Sequence, residues 1–231
     1  MALFYLPEIK QGVTQLTPEE SKHAVKVLRL SQGDAITLID GVGGWYDAII
    51  EEANPKKCRF AIQSSRQEPG NDYYIHIAIA PTKNIDRIEW FVEKAVEIGV
   101  DEISFLLCSN SERKVIKTDR IEKKAISAAK QSLKATLPKI NALQKIDQFF
   151  TSISEEQKFI AYVDFDNPTD LIQAADKSKS YCILIGPEGD FSTQELEMAL
   201  QSGFEKVSLG KSRLRTETAG LVACHILNIV Q

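Results

Sequence analysis

The sequence has no cysteine pair at metal-binding spacing. Its four cysteines, Cys58, Cys108, Cys182 and Cys224, lie far apart in apolar or strand-like contexts, so neither a zinc site nor a disulfide framework is expected. Scattered cysteines of this kind suit small core positions in a reducing compartment. No apolar run approaches the roughly 20 residues that cross a bilayer. The opening MALFYLPEIKQG lacks the charged and apolar regions of a secretion signal. Strong charge of one sign is also missing. A net charge of −4 argues against a generic polyanion binder but leaves room for a local basic patch. Neither a G-x-G-x-x-G fingerprint nor a Walker lysine is present, which disfavours a dinucleotide or nucleoside triphosphate cradle. These absences predict a soluble cytoplasmic protein without a metal.

At 231 residues, 43% of them hydrophobic and 26% charged, the chain is long enough for one large domain or two modest ones with a proper core. Residues up to about Ser65 read as short strands separated by Gly and Asn-Pro punctuation (AITLID, WYDAIIE, CRFAIQS), a small antiparallel sheet or barrel. One helix interrupts it: Thr17-Pro18-Glu19-Glu20 is a start signal, and helix is expected through SKHAVKVLR. RQEPGND, 66 to 72, makes a linker. After it strands alternate with helices: a strand at Tyr74–Ala80, a helix from Asn84 closed by Gly99, and a strand at Ile103–Cys108. A helix follows at Thr118–Leu133, then strands at Phe159–Val163 and Cys182–Ile185, and an apolar terminal helix. Such alternation is the mark of an α/β domain with a mainly parallel sheet.

Two segments carry the chemistry. In YCILIGPEGDFSTQE an apolar strand runs into Gly186-Pro187-Glu188-Gly189-Asp190, and a complete capping box, Ser192 with Glu195, begins the next helix. The glycines admit close backbone approach, and the two carboxylates would repel a pyrophosphate, so a neutral or cationic ligand fits better. A tight turn with no ligand is the plain alternative. In VSLGKSRLRTETAG a strand again meets a glycine turn at Gly210, then Lys211, Arg213 and Arg215, then Thr216-Glu217-Thr218 at the head of the apolar helix. An Arg215–Glu217 salt bridge with capping threonines would explain the charges alone, but not the repeat of strand, glycine, polar turn and helix.

Together with HAVKVLRL, KNIDRIEWFVEKAVEIGVDEI, SERKV and AAKQS in this order, these segments resemble the RsmE family of the SPOUT superfamily of knotted methyltransferases. The resemblance implies an α/β domain with a deep trefoil knot at 73–231, preceded by a small PUA-like RNA-binding β-barrel at 1–68. It implies transfer of a methyl group from S-adenosylmethionine to N3 of one uridine in 16S ribosomal RNA. The partners it implies are a second copy of the chain, as a homodimer, and the small (30S) subunit. It assigns Leu184, Gly186, Pro187, Gly189, Leu209, Gly210, Leu214 and Thr216 to the cofactor pocket. Two positions depart from the pattern: Asp190 stands where a third glycine is more usual, and Leu133-Lys134 replaces Gly-Arg.

A sulfonium donor needs no metal, and its positive sulfur tolerates acids nearby. Uracil N3 carries a proton at neutral pH, so the site must take that proton or stabilise the anion spread over O2 and O4. Arg215 suits the second task through two N–H donors. Glu217 is a base or a group that orients Arg215, and Glu188 is a weaker candidate for the base. For RNA, the one-sided run from Arg113 to Lys139 supplies Arg113, Lys114, Arg120 and Lys134, and Lys22, Lys26 and Arg29 offer a second basic edge. Alternative readings are a knotted methyltransferase on another ribosomal or transfer RNA nucleotide, or a non-catalytic RNA-binding assembly factor. A nicotinamide dehydrogenase is more distant still.

Overall fold

A computed structural model describes residues 2–162, 169–177 and 179–231. Its contacts separate two compact units, one of residues up to Gly70 with Ala129–Leu137, the other of Asn71–Ala128 with Pro138–Gln231.

In the first unit, β1 (Leu3–Tyr5), β2 (Ala35–Ile39), β3 (Gly44–Glu52) and β4 (Arg59–Gln67) form one sheet in that order. The β1–β2 pair is parallel and the other pairs antiparallel, so the expected wholly antiparallel sheet is corrected by a short first strand. Three residues are too few for a period-2 pattern to stand out. Strand β4 also runs into the start of the expected linker, to Gln67. Between β2 and β3, Asp40 Oδ1 accepts hydrogen bonds from the N–H groups of Val42 and Gly44, each at 2.8 Å. A Cβ on Gly44 would collide with the same carboxylate, so glycine suits this turn. Helix α1 (Pro18–Lys22) starts as expected, with Thr17 Oγ1 accepting from Glu20 N at 3.2 Å. It does not continue as regular α-helix. His23–Val27 widens into a π-helical turn closed by Leu28 N–H on the His23 carbonyl at 3.0 Å, and the chain leaves through Arg29 at φ 58°. The core gathers Phe4, Leu6, Leu38, Ile50 and Phe60, all essentially dry. The segment 129–137 joins this unit through Ala135, buried beside Leu3, Ile39 and Trp45, and through a Lys130–Glu20 ion pair at 2.7 Å.

The second unit is built on six strands: β5 (Tyr74–Ile79), β6 (Glu102–Leu107), β7 (Lys139–Lys145), β8 (Gln157–Ala161), β9 (Ser180–Ile185) and β10 (Glu205–Val207). Their order is β10-β8-β9-β5-β6-β7, and every pair is parallel. Helix α2 (Ile85–Ile98) begins at Asn84, whose side chain accepts from Asp86 N at 3.0 Å, and ends at Gly99 with φ 127°. Its stripe Ile88, Phe91, Val92, Ala95 and Val96 is buried, the spacing of one helix face. The terminal helix α7 (Thr216–Ile229) packs against α2, and a Cβ on its Gly220 would meet Phe91 at 2.8 Å. Glycine there lets the two helices and Ile79 come together. On the other sheet face, Ala78, Leu106, Cys182 and Leu184 pack with Ile146 and Phe149 of α4 (Ile146–Phe149) and Ala199 of α6 (Thr193–Gln201). Helix α3 (Thr118–Gln131) and the short α5 (Leu171–Ala174) complete the set. Sequence reading finds β5, β6, β9, α2, α3, α6 and α7 within a few residues and misses β7, α4 and α5. Of the expected strand Phe159–Val163, Val163 lies outside the described residues.

Candidate active site at the carboxyl end of the parallel sheet

In a parallel sheet the loops beyond the strand carboxyl ends form the natural crevice, and here they carry the glycine turns. The turn after β9 is fixed first by its own helix. Ser192 Oγ accepts from Glu195 N while Glu195 Oε2 accepts from Ser192 N at 2.8 Å, a complete capping box. Gly186 is then closely packed by its own turn and Gly189 by the loop after β6. A Cβ on Gly186 would meet the Phe191 ring at 3.1 Å, and one on Gly189 would meet Asn110 Cβ at 3.1 Å.

The second turn comes to the first through one bond: Thr216 Oγ1 donates to the Gly186 carbonyl at 3.0 Å. Gly210 sits at φ 115° with open space where a Cβ would be, and its N–H bonds to Ser208 Oγ at 3.1 Å. Leu209 and Leu214 are half-buried, Pro187 is buried, and Leu184 is wholly inside the apolar core under the turn.

The charged residues divide sharply. Arg215 caps α7 with its backbone, its side chain is exposed, and its guanidinium has no protein partner among the described residues. Glu217 is 7% exposed and faces Arg87 of α2 at 3.7 Å rather than Arg215, and its Oε2 is buried without a hydrogen-bond partner. The simple Arg215–Glu217 salt bridge does not form. Glu188 Oε1 instead accepts from Lys83 N at 3.2 Å. Burial pushes the Asp190 carboxyl above its ordinary pKa, against the Phe191 N–H bond and the charge of Arg213.

Asp190 lies at φ 62° and Leu133 at φ 56°. These are the two positions that depart from the glycines of the resembled family, and both hold the left-handed backbone that glycine adopts freely and an L-residue adopts at a cost of about 1–2 kcal/mol.

Among the basic residues expected on RNA, Lys22, Lys26, Arg29 and Lys114 are exposed, and Lys134 is partly buried. Arg120 pairs with Glu89 and, at 3.5 Å, with Asp86. Arg113 turns inward onto carbonyls of the loop after β5: Nε donates to Thr82 O at 3.0 Å and Nη2 to Lys83 O. Sequence reading missed Asn110, whose Nδ2 donates to the carbonyls of Gly189 (3.1 Å) and Asp190 (3.0 Å). It also missed Arg87. Arg87 lies inside KNIDRIEWFVEKAVEIGVDEI and Asn110 just before SERKV, but nothing within those stretches singles out either residue.

A second polar cluster occupies the amino end of the sheet, beside a cavity of about 420 Å³. His76 Nδ1 meets Glu155 at 2.5 Å, Nε2 meets Ser104 Oγ at 2.7 Å, and Glu102 accepts from Tyr74 OH at 2.6 Å and Lys139 Nζ at 2.9 Å. Glu155, His76 and Cys182 bring possible ligand atoms within 4.8 Å. Both imidazole nitrogens are already bonded, however, and burial holds the Cys182 thiol protonated. The cluster is a closed hydrogen-bonded set.

The profile of the RNA methyltransferase domain matches residues 69–228, and that of the RNA methyltransferase PUA domain matches 16–63. The chain is 33% identical over 161 residues to ribosomal RNA small subunit methyltransferase E of Mesomycoplasma hyopneumoniae (strain 232), covering 67% of this chain and 68% of that one. Among solved structures it resembles a probable rRNA-methyltransferase from Porphyromonas gingivalis (45% identity, TM-score 0.94, 100% of this chain and 98% of that one). It also resembles ribosomal RNA small subunit methyltransferase E from Neisseria gonorrhoeae bound to S-adenosyl methionine (27% identity, TM-score 0.85, 97% and 95%).

Proposed function

Because the chain belongs to the RNA methyltransferase family that includes ribosomal RNA small subunit methyltransferase E, we propose that it methylates small-subunit ribosomal RNA with S-adenosylmethionine, at N3 of one uridine of 16S rRNA. The observation that carries this reading is the Thr216–Gly186 hydrogen bond, which brings the two glycine turns together at the strand ends. The donor supplies, when bound, a methyl group already activated on a sulfonium. The turns fit such a ligand: their glycines leave backbone within reach, and Glu188 and Asp190 suit a cation better than a phosphate. Gly186, Pro187, Gly189, Leu209, Gly210, Leu214 and Thr216 would hold it, with Leu184 supporting the turn from the core.

For the acceptor, Arg215 presents an unpaired guanidinium to the O2 or O4 edge of the uracil as negative charge develops there. Glu217 is the candidate base. Its unpaired Oε2 is buried, so RNA binding has to uncover it before it can take the N3 proton, while Arg87 faces the other oxygen. Lys22, Lys26, Arg29, Lys114 and Lys134 contact phosphates. The finer architecture we infer is a trefoil knot within the parallel-sheet domain at 73–231, a PUA-like barrel at 1–68, and a homodimer acting on the 30S subunit in the cytoplasm. Mass mapping of nucleosides in ribosomal RNA, with and without the gene, tests the function. N3-methyluridine should vanish from one small-subunit site in the deletion strain and return with the wild-type gene but not with Arg215→Ala. An unchanged modification pattern in the deletion strain overturns the proposal.

A further inference from the structure

We propose that Asn110 and Arg113, from the loop after β6, are positioning residues of the methyl-donor site, holding its turn in shape without touching donor or RNA. The inference rests on the reading of Gly186–Asp190 as the donor turn. Methyl transfer needs acceptor, methyl and sulfur in line, and rate is lost steeply when the donor is misplaced. The turn closes on itself with Asp190 N–H on the Pro187 carbonyl at 2.9 Å and Phe191 N–H on Asp190 Oδ1 at 2.8 Å, yet Asp190 occupies a left-handed backbone at φ 62°. The carbonyls of Gly189 and Asp190 take their bonds from outside the turn.

Asn110 supplies them directly. Its Nδ2 has two N–H groups, and both are used, one on the Gly189 carbonyl and one on the Asp190 carbonyl. The bonds straddle the strained peptide, and Asn110 Cβ packs where a side chain on Gly189 would be. Arg113 acts one loop away. Nε and Nη2 grip the carbonyls of Thr82 and Lys83, and the N–H of Lys83 donates to Glu188 in the middle of the donor turn. The loop that carries both residues is itself anchored. Glu195, 3% exposed, accepts from the N–H of Ser109 at 2.7 Å while its other oxygen completes the capping box after the donor turn. Three loops are thereby tied to one frame. A guanidinium committed to two backbone carbonyls is not presented to a phosphate, whereas Lys114, the next residue, is exposed. The basic run therefore splits between adjacent residues, Arg113 serving the donor turn and Lys114 the RNA.

The test uses the full-length protein and its Asn110→Ala, Arg113→Ala, Arg113→Lys and Lys114→Ala variants. Calorimetry gives the Kd for S-adenosylmethionine, steady-state rates give KM and kcat, and binding of a 16S rRNA fragment is followed against salt concentration. Asn110→Ala and Arg113→Ala should weaken donor binding and raise its KM by roughly tenfold, with the salt slope of RNA binding as in wild type. Arg113→Lys, able to reach one carbonyl, should fall between. Lys114→Ala should lower the salt slope by about one and leave donor affinity alone. If Arg113→Ala lowers the slope by about one with donor Kd within twofold of wild type, Arg113 is an RNA contact and the proposal is wrong. If both alanine variants lose only thermal stability, the two residues are merely structural and the proposal is again wrong. A wild-type protein that binds no S-adenosylmethionine overturns the donor-turn assignment itself.

Discussion

At the amino end of the parallel sheet, Tyr74, His76, Glu102, Ser104 and Asn141 close on one another and on Glu155 and Lys139. At the carboxyl end, the Arg215 guanidinium and one Glu217 oxygen have no protein partner among the described residues. The same strands thus end in two chemistries. Polar groups that satisfy each other stabilise a fold, and polar groups left without partners near glycine turns are the ones free to meet a ligand.

The largest expected effect lies at the open end. Arg215→Ala should reduce kcat by about 10²–10³-fold while leaving the urea midpoint where it is; a large loss of stability with activity retained would reverse the comparison. At the closed end, His76→Leu strands the Glu155 carboxylate and should cost about 3 kcal/mol in urea denaturation, with kcat preserved in the folded fraction. Glu102→Gln sharpens the same point through pH. Burial works to raise the Glu102 pKa, but hydrogen bonds from Tyr74 and Lys139, the charge of His76 and the Asn141 bond outweigh it and hold the carboxyl below its ordinary range. Its stabilisation is therefore full above the ordinary glutamate pKa and lost as pH falls through the depressed one. The glutamine variant should be less stable by about 1–2 kcal/mol at neutral pH, as expected for losing hydrogen bonds to a charged group, show a flatter acid limb, and converge on wild type as pH falls through the depressed pKa. A parallel offset at every pH would refute this. Smallest is Ser192→Ala, which removes the capping box beside the Gly186–Asp190 turn and should cost about 1 kcal/mol by thermal melting.

Much of this was legible in the sequence because local signals and the fold agreed. Asn84 and Gly99 delimit α2, and Ser192 with Glu195 starts α6, as their chemistry predicts. The missed parts have physical causes. Strand β7 (KINALQK) is only partly buried at an edge, so its alternation is blurred, and the packing of Ala129–Leu137 with the first unit is a tertiary choice no local pattern announces. For the site, the glycine turns were readable, but which carboxylate faces which arginine was not. Glu217 chose Arg87, far away in sequence, over Arg215 two residues off. Arg113 reads as one more cation in a basic run, and only the fold turns its guanidinium onto two carbonyls.

The pairing of β5 with β9, Tyr74 beside Ser180 and Ile79 beside Ile185, also sets an order of events during synthesis. While the chain is emerging, β5 can pair with β6 and β6 with β7, but the other backbone edge of β5 stays unpaired until β9, in the last quarter, has left the ribosome. Nascent chains halted before that point should therefore be sticky and dependent on chaperones.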